Sequence, residues 1–125
     1  MRISQIGLVA QALLYTGAGV NHFWHEGFYL QIIPDHYAHP ALLVQLTGIA
    51  EIAGGLGLLV PTTRGYAGVA LALMLVGYFD VHVFMLRHVE RFPGVPLWLL
   101  WGRIAFQFVL IAWALQAAQP RKRLT

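Results

Sequence analysis

Pro40-Ala-Leu-Leu-Val-Gln-Leu-Thr-Gly-Ile-Ala-Glu51-Ile-Ala-Gly-Gly-Leu-Gly-Leu-Leu-Val-Pro61 decides the architecture. Between its two prolines lie about 20 residues with a single charge, Glu51, and at the helical rise that is a rod of about 30 Å, the thickness of a bilayer's hydrocarbon core. Pro40 suits the first position of a helix, and Pro61 cannot continue one. A stretch this long and continuous is a membrane helix rather than a barrel strand.

Three further segments read the same way: about Ile3 to Trp24, Tyr66 to Arg87 and Val95 to Ala118. The expectation is therefore all-α: one domain over residues 1–125, an integral membrane four-helix bundle with spans at about 3–24, 41–60, 66–87 and 95–118. The connection from Pro61 to Gly65 is short, so the second and third helices are antiparallel neighbours. The first loop, His25 to His39, is the long one, and its apolar, aromatic stretch from Gly27 to Ile33 predicts a short helix lying in the membrane interface. The first segment carries one Arg before an apolar run but lacks a small-x-small cleavage site, so it is read as a retained span rather than a signal peptide.

Composition agrees. Hydrophobic residues make up 58% and charged residues 10%, with a mean hydropathy of +0.65, against about 25% charged for a soluble domain. That excludes a water-soluble globular monomer, and intrinsic disorder with it. The net charge of +3 comes without a basic stripe, so nucleic acid is not a partner. There is no Cys, which excludes thiol catalysis, disulfide exchange and Cys-ligated metal within the chain.

Basic residues set the orientation. Arg2, Arg64, Arg121, Lys122 and Arg123 share one side, and Arg87 and Arg91 the other, which predicts both termini in the cytoplasm. The basic tail, Arg121 to Arg123, attracts anionic lipid. Phe23, Trp24, Tyr29, Tyr37, Trp98 and Trp101 fall near the opposite, outer interface.

Polar residues inside the spans are costly and face the bundle interior. They are Asn21 and His22 in the first, Glu51 in the second, Asp80 and His82 in the third, and Arg103 and Gln107 in the fourth. Arg103 lies about 10 Å and Glu51 about 15 Å from the outer end at the helical rise, so the set collects in the outer half. Helical spacing gives each span one shared face: Ser4, Gln11, Ala18 and His22; Gly48, Glu51 and Gly55; Gly68, Ala72, Leu75 and His82; Arg103, Gln107 and Ala114. Asp80 is the exception, about 200° around from His82.

Three readings stand. In the first, Glu51 and Arg103 form a structural ion pair, with Asn21 and Gln107 filling the remaining hydrogen bonds. In the second, Asn21, His22, Glu51, His82, Arg103 and Gln107 form an outward-opening ligand site for a quinone head group or a small anion, His serving proton exchange. In the third, His22, Glu51 and His82 bind a metal, a recognised ligand set that Arg103 would oppose. His25, His36 and His39 in the loop suggest surface metal binding or pH sensing, and read more simply as solvated. Gly54-Gly55-x-Gly57 lacks the Lys-Ser/Thr of a phosphate loop and reads as helix packing. Gly17…His22 and Gly77…His82 share a spacing, a faint trace of a repeated helix pair.

At these residues the chain resembles the DoxX family of small four-helix membrane proteins. The pieces are Gly-Val-Asn21-His22-Phe with Phe28 and Pro34, the stretch from Leu46 to Pro61 with Thr63-Arg64, Val81-His82-Val83-Phe84-Met85, and Arg103…Gln107. Relatives carry Pro-Ala-Asn where this chain has Asp80-Val-His82, so a role for His82 is not implied by the resemblance. What it implies is a bacterial or archaeal inner-membrane protein, tied to quinone-dependent sulfur oxidation or to oxidoreductase complexes handling thiol stress. The leading expectation is thus an accessory, quinone- or small-ligand-binding subunit associated with a membrane oxidoreductase. A small-solute carrier or channel acting as a homo-oligomer and a purely structural assembly subunit are the alternatives.

Overall fold

The computed structural model describes residues 4–119. Arg2, Pro120 and the basic tail Arg121 to Arg123 lie outside the described residues. The fold is all-α, with helices α1 (Gln5–Trp24), α2 (Glu26–Ile32), α3 (Pro40–Gly57), α4 (Arg64–Gly77), α5 (Phe79–Arg87) and α6 (Leu97–Ala118), and a 3₁₀ turn at Val89–Arg91.

The boundaries have local causes. Ser4 caps α1, its hydroxyl accepting from the Gly7 amide at 3.0 Å. Pro40 opens α3, as expected. However, α3 stops at Gly57 rather than Val60. The Thr63 hydroxyl donates to the Gly57 carbonyl at 2.8 Å, and Arg64 Nε donates to the Leu58 carbonyl at 2.7 Å. These bonds satisfy carbonyls that the helix end leaves open and fold residues 58–63 into a tight turn. The third expected span is interrupted at Tyr78. Backbone bonds from the Tyr78 amide to Met74 and from the His82 amide to Tyr78 run through the break, so α4 and α5 remain one rod.

Four rods (α1, α3, α4–α5 and α6) pack in two tight pairs, α1 on α3 and α4 on α6, with α3 against α4 joining them. Glycines make the tight pairs possible. A Cβ on Gly19 would overlap the Gly48 carbonyl and Ile52, one on Gly55 would overlap Thr16 and the Ala12 carbonyl, and one on Gly68 would lie 2.8 Å from the Ala114 carbonyl. The glycine-rich stretch of α3 is therefore a packing surface. At the end holding the start of α1 and the close of α6, the interior is dry: Leu8, Leu58, Leu71, Leu75, Leu110 and Ala114 are buried together. At the other end, α2 and residues 33–39 lie over the rods, and Phe84, Met85, Phe92 and Leu100 form a second apolar cluster.

Three rods are long and apolar enough to cross a membrane: Pro40–Gly57, Arg64–Arg87 and Leu97–Ala118. The expected first span is long enough at 20 residues but falls short in apolarity; Gln11, Asn21 and His22 dilute it. Outward faces are apolar on all four rods, with Leu13 at 70%, Ile49 at 56%, Leu73 at 68% and Phe108 at 64% exposure. That is more exposed apolar surface than a soluble monomer carries.

Candidate functional site

The close approach of α1 to α3 creates the central contact. A Cβ on Gly48 would lie 2.9 Å from the Cβ of His22, so the glycine lets the His22 ring settle against α3, one turn before Glu51. His22 Nε2 lies 2.9 Å from Glu51 Oε2, with both side chains less than a tenth exposed. His22 Nδ1 lies 3.0 Å from the Val44 carbonyl. The Thr47 hydroxyl, which donates to the Leu43 carbonyl at 2.6 Å, stands 3.3 Å from the same nitrogen. The Tyr29 ring from α2 covers the imidazole at 4.2 Å between centroids, and its hydroxyl accepts from Asn21 Nδ2 at 2.9 Å.

Facing this pair are α4–α5 and α6. Arg103 Nη1 donates to Gln107 Oε1 at 3.2 Å, and Gln107 Nε2 donates to the Leu75 carbonyl at 2.6 Å. Leu75 is three residues before the break at Tyr78, so Gln107 ties α6 to the rod where it changes course. Around the cavity Glu51 Oε2, the Tyr78 hydroxyl and His82 Nε2 are buried without a hydrogen-bond partner among the described residues. In native interiors such groups are few and call for an explanation.

Between the two sides lies a cavity of about 340 Å³, within the range of small-molecule sites. His22, Glu51, Tyr78, His82 and Arg103 supply its polar wall. Leu43, Met74 and Val81 supply apolar wall, and Ile32, Ile33 and Tyr37 complete the roof with Tyr29. The roof is latched from outside. Asp80 accepts from the Tyr37 hydroxyl at 2.7 Å and pairs with His36 Nε2 at 2.9 Å, while Asp35 pairs with Arg91 at 3.1 Å. The hydrogen bond from Arg91 holds the Asp35 carboxyl below its usual range, and the bond to Asp80 raises the Tyr37 phenol above its own.

Of the residues singled out from the sequence, His22, Glu51, His82 and Arg103 meet at this cavity. Gln107 is buried beneath it and holds Arg103; Asn21 stands behind Tyr29 and contacts His25. Asp80 points away from His82, as the helical angle requires, and serves the latch. Two expectations need correction. Glu51 and Arg103 do not pair directly, because His22 already occupies the carboxylate and Arg103 turns to Gln107. His36 is not merely solvated, since Asp80 holds it. Nor are His22, Glu51 and His82 drawn together as metal ligands: among the described residues no group of three or more His, Asp or Glu is placed to hold a metal, and both His22 nitrogens are engaged. Sequence reasoning missed Tyr29, Thr47 and Tyr78. Tyr78 had a signal, standing four residues before His82 and so on its face.

The chain belongs to the family described as "Domain of unknown function (DUF8561)", whose family model matches residues 11–118. No curated protein and no solved structure matches the chain. The family match overturns the resemblance to DoxX. The pieces that suggested it, around Asn21-His22 and from Leu46 to Pro61, are what glycine-packed helices around a buried polar pair require, so they do not mark one lineage. The sulfur-oxidation and thiol-stress associations, and the tie to an oxidoreductase complex, lose that support.

Proposed function

We propose that this DUF8561 member is a membrane-embedded small-ligand-binding protein, its four rods crossing the bilayer as a bundle and its cavity taking a largely apolar molecule with one hydrogen-bonding head group. The single observation that carries the reading is the cavity's mixed lining. The buried His22–Glu51 pair on one side faces the Arg103 guanidinium, the Tyr78 hydroxyl and His82 Nε2 on the other, and the rest of the lining is apolar. A ligand head that accepts from these groups satisfies them, and its body replaces water against the apolar wall. A quinone is one class with that shape, as is any lipid-soluble carbonyl or carboxyl compound. Arg64 and the basic residues at the chain ends orient the cavity towards the outer leaflet.

Gly77 supplies the test. It lines the cavity, and a Cβ built on it meets nothing within 4 Å, so Gly77→Leu fills the space without a backbone clash. The wild type, extracted in mild detergent and examined by native mass spectrometry, is expected to retain a ligand or to bind added decylubiquinone or decanoate. Gly77→Leu is expected to fold with unchanged helicity and to lose that binding. Wild-type protein that carries no ligand and binds neither probe would remove the proposal.

A further inference from the structure

We infer that the ligand's head group is a carboxylate, held by Arg103; the inference rests on the small-ligand reading above. It follows from the charge of the polar wall, which geometry alone fixes. His22 Nδ1 faces the Val44 carbonyl and His22 Nε2 faces the Glu51 carboxyl group. A carbonyl oxygen only accepts, so Nδ1 carries a proton. Nε2 stands 2.9 Å from Glu51 Oε2, within ion-pair distance, and a second proton on either partner relieves the repulsion between the ring's lone pair and the carboxylate. That proton belongs either to the ring, giving imidazolium and carboxylate, or to the acid, giving imidazole and carboxylic acid. The pair has zero net charge in both arrangements. Glu51 thus has His22 as its ion-pair partner and makes no ion pair with Arg103 among the described residues.

Arg103 is left with the net charge of the wall. Its guanidinium has five N–H donors, and its one hydrogen bond among the described residues goes to Gln107, a neutral amide. No carboxylate lies within ion-pair distance of it among those residues. A charge inside a membrane protein is kept with a partner or counter-ion. The missing partner is an anion, and the guanidinium fork matches the two oxygens of a carboxylate. One positive charge asks for one negative charge, which favours a carboxylate over a phosphate monoester carrying about −1.5 to −2. His82, buried with Nε2 unpartnered on the same cavity, supplies a second hydrogen-bonding atom. The apolar wall at Ile32, Met74 and Val81 takes a hydrocarbon chain. The occupant is therefore an amphiphilic monocarboxylate of the fatty-acid kind.

Decanoate and its methyl ester separate the head-group charge from everything else, since they share a chain and nearly a shape. Binding of each to detergent-solubilised protein, by native mass spectrometry and calorimetric titration, is expected to favour decanoate by about tenfold or more. Arg103→Gln is expected to abolish the preference while leaving ester binding in place. Arg103→Lys, which keeps the charge but not the fork, is expected to restore part of it, and this rescue distinguishes recognition from a fold defect. Equal binding of acid and ester by the wild type, or a preference that survives Arg103→Gln, overturns the inference and leaves the small-ligand reading standing. Failure of acid, ester and decylubiquinone alike overturns that reading, and the inference with it.

Discussion

Two halves of the molecule are built from the same helices on opposite principles. Towards the close of α6, Gly68 lets α4 meet α6 at backbone distance, and leucine and alanine fill what remains. Towards α2, the same rods separate around a cavity, and Gly77 in the same helix faces open space. One residue type thus does opposite work in two places less than three turns apart. Glycine in an apolar helix marks close packing only where a neighbour occupies the position of its missing Cβ. Polar atoms occur in both halves. Where the rods touch, Gln11 Nε2 donates to the Trp113 carbonyl at 3.1 Å, while Gln11 Oε1, the Tyr15 hydroxyl and the Thr16 hydroxyl are enclosed by packing. Where they part, polar groups can remain available to something else.

Substitutions can break this contrast, and the largest effect is expected at the buried pair. His22→Ala leaves Glu51 without its partner, and breaking a buried pair from one side costs about 3–5 kcal/mol. Glu51→Gln, which keeps a hydrogen-bonding group beside the ring, is expected to cost less than half as much. Unfolding of the reconstituted protein by sodium dodecyl sulfate gives both values; equal losses would mean that the contact is packing rather than charge. Next comes the dry half. Gly68→Ala drives a methyl into the Ala114 carbonyl and the Ala118 backbone and is expected to destabilise by about 1–3 kcal/mol, the usual cost of overpacking. In the same assay, Gly77→Ala is expected to stabilise by about 0.5–1 kcal/mol, the helix preference for alanine with no clash to offset it. The opposite signs at Gly68 and Gly77 are the sharpest test of the two-halves description.

The smallest effect concerns the roof. Asp35 and Arg91 are half-exposed or more, and exposed pairs contribute little. Asp35→Asn is expected to leave the unfolding curve unchanged while speeding amide exchange in residues 33–39. Because Arg91 holds the Asp35 carboxyl below its usual range, the latch contributes above that range and is lost only as pH falls through the lowered value. Protection of the loop amides, taken relative to the unstructured chain at each pH, is therefore expected to be flat from pH 7 to about 5 and to fall below the ordinary carboxylate range near 3.9.

Much of the fold was legible because it follows from periodicity and from prolines. Pro40 and the short turn before Arg64 gave correct neighbours, and the apolar run after Gly27 gave α2 nearly to the residue. The stop at Gly57 was missed because it depends on side-chain bonds from Thr63 and Arg64 that reach backward, and hydropathy does not register them. The break at Tyr78 was invisible because the apolar run continues through it, and hydropathy does not register a change of course. At the cavity, each polar residue was found because ionisable groups stand out in apolar runs. The pairing was misassigned, Arg103 to Glu51, because opposite formal charge suggested it. Which partner a carboxylate takes depends on how near two backbones come, and Gly48, not charge, settles that for His22. Tyr29 and Thr47 carry no charge to mark them and enter the site through the loop's path and the pair's geometry.

The tight turn at residues 58–63 has a consequence for how the chain is made. Its bonds from Thr63 and Arg64 close within six residues of Gly57 and Leu58, so α3 and α4 form as one hairpin. Chains emerge from the ribosome with the N-terminal part first, and α1 is already there when the hairpin arrives. Glu51 thus finds His22 already made and need not wait for a later helix. Arg103 and Gln107 come last, on α6. Until then the Leu75 carbonyl and His82 face an unfinished side of the protein, and the final helix closes the cavity as it brings the cation that gives the cavity its charge.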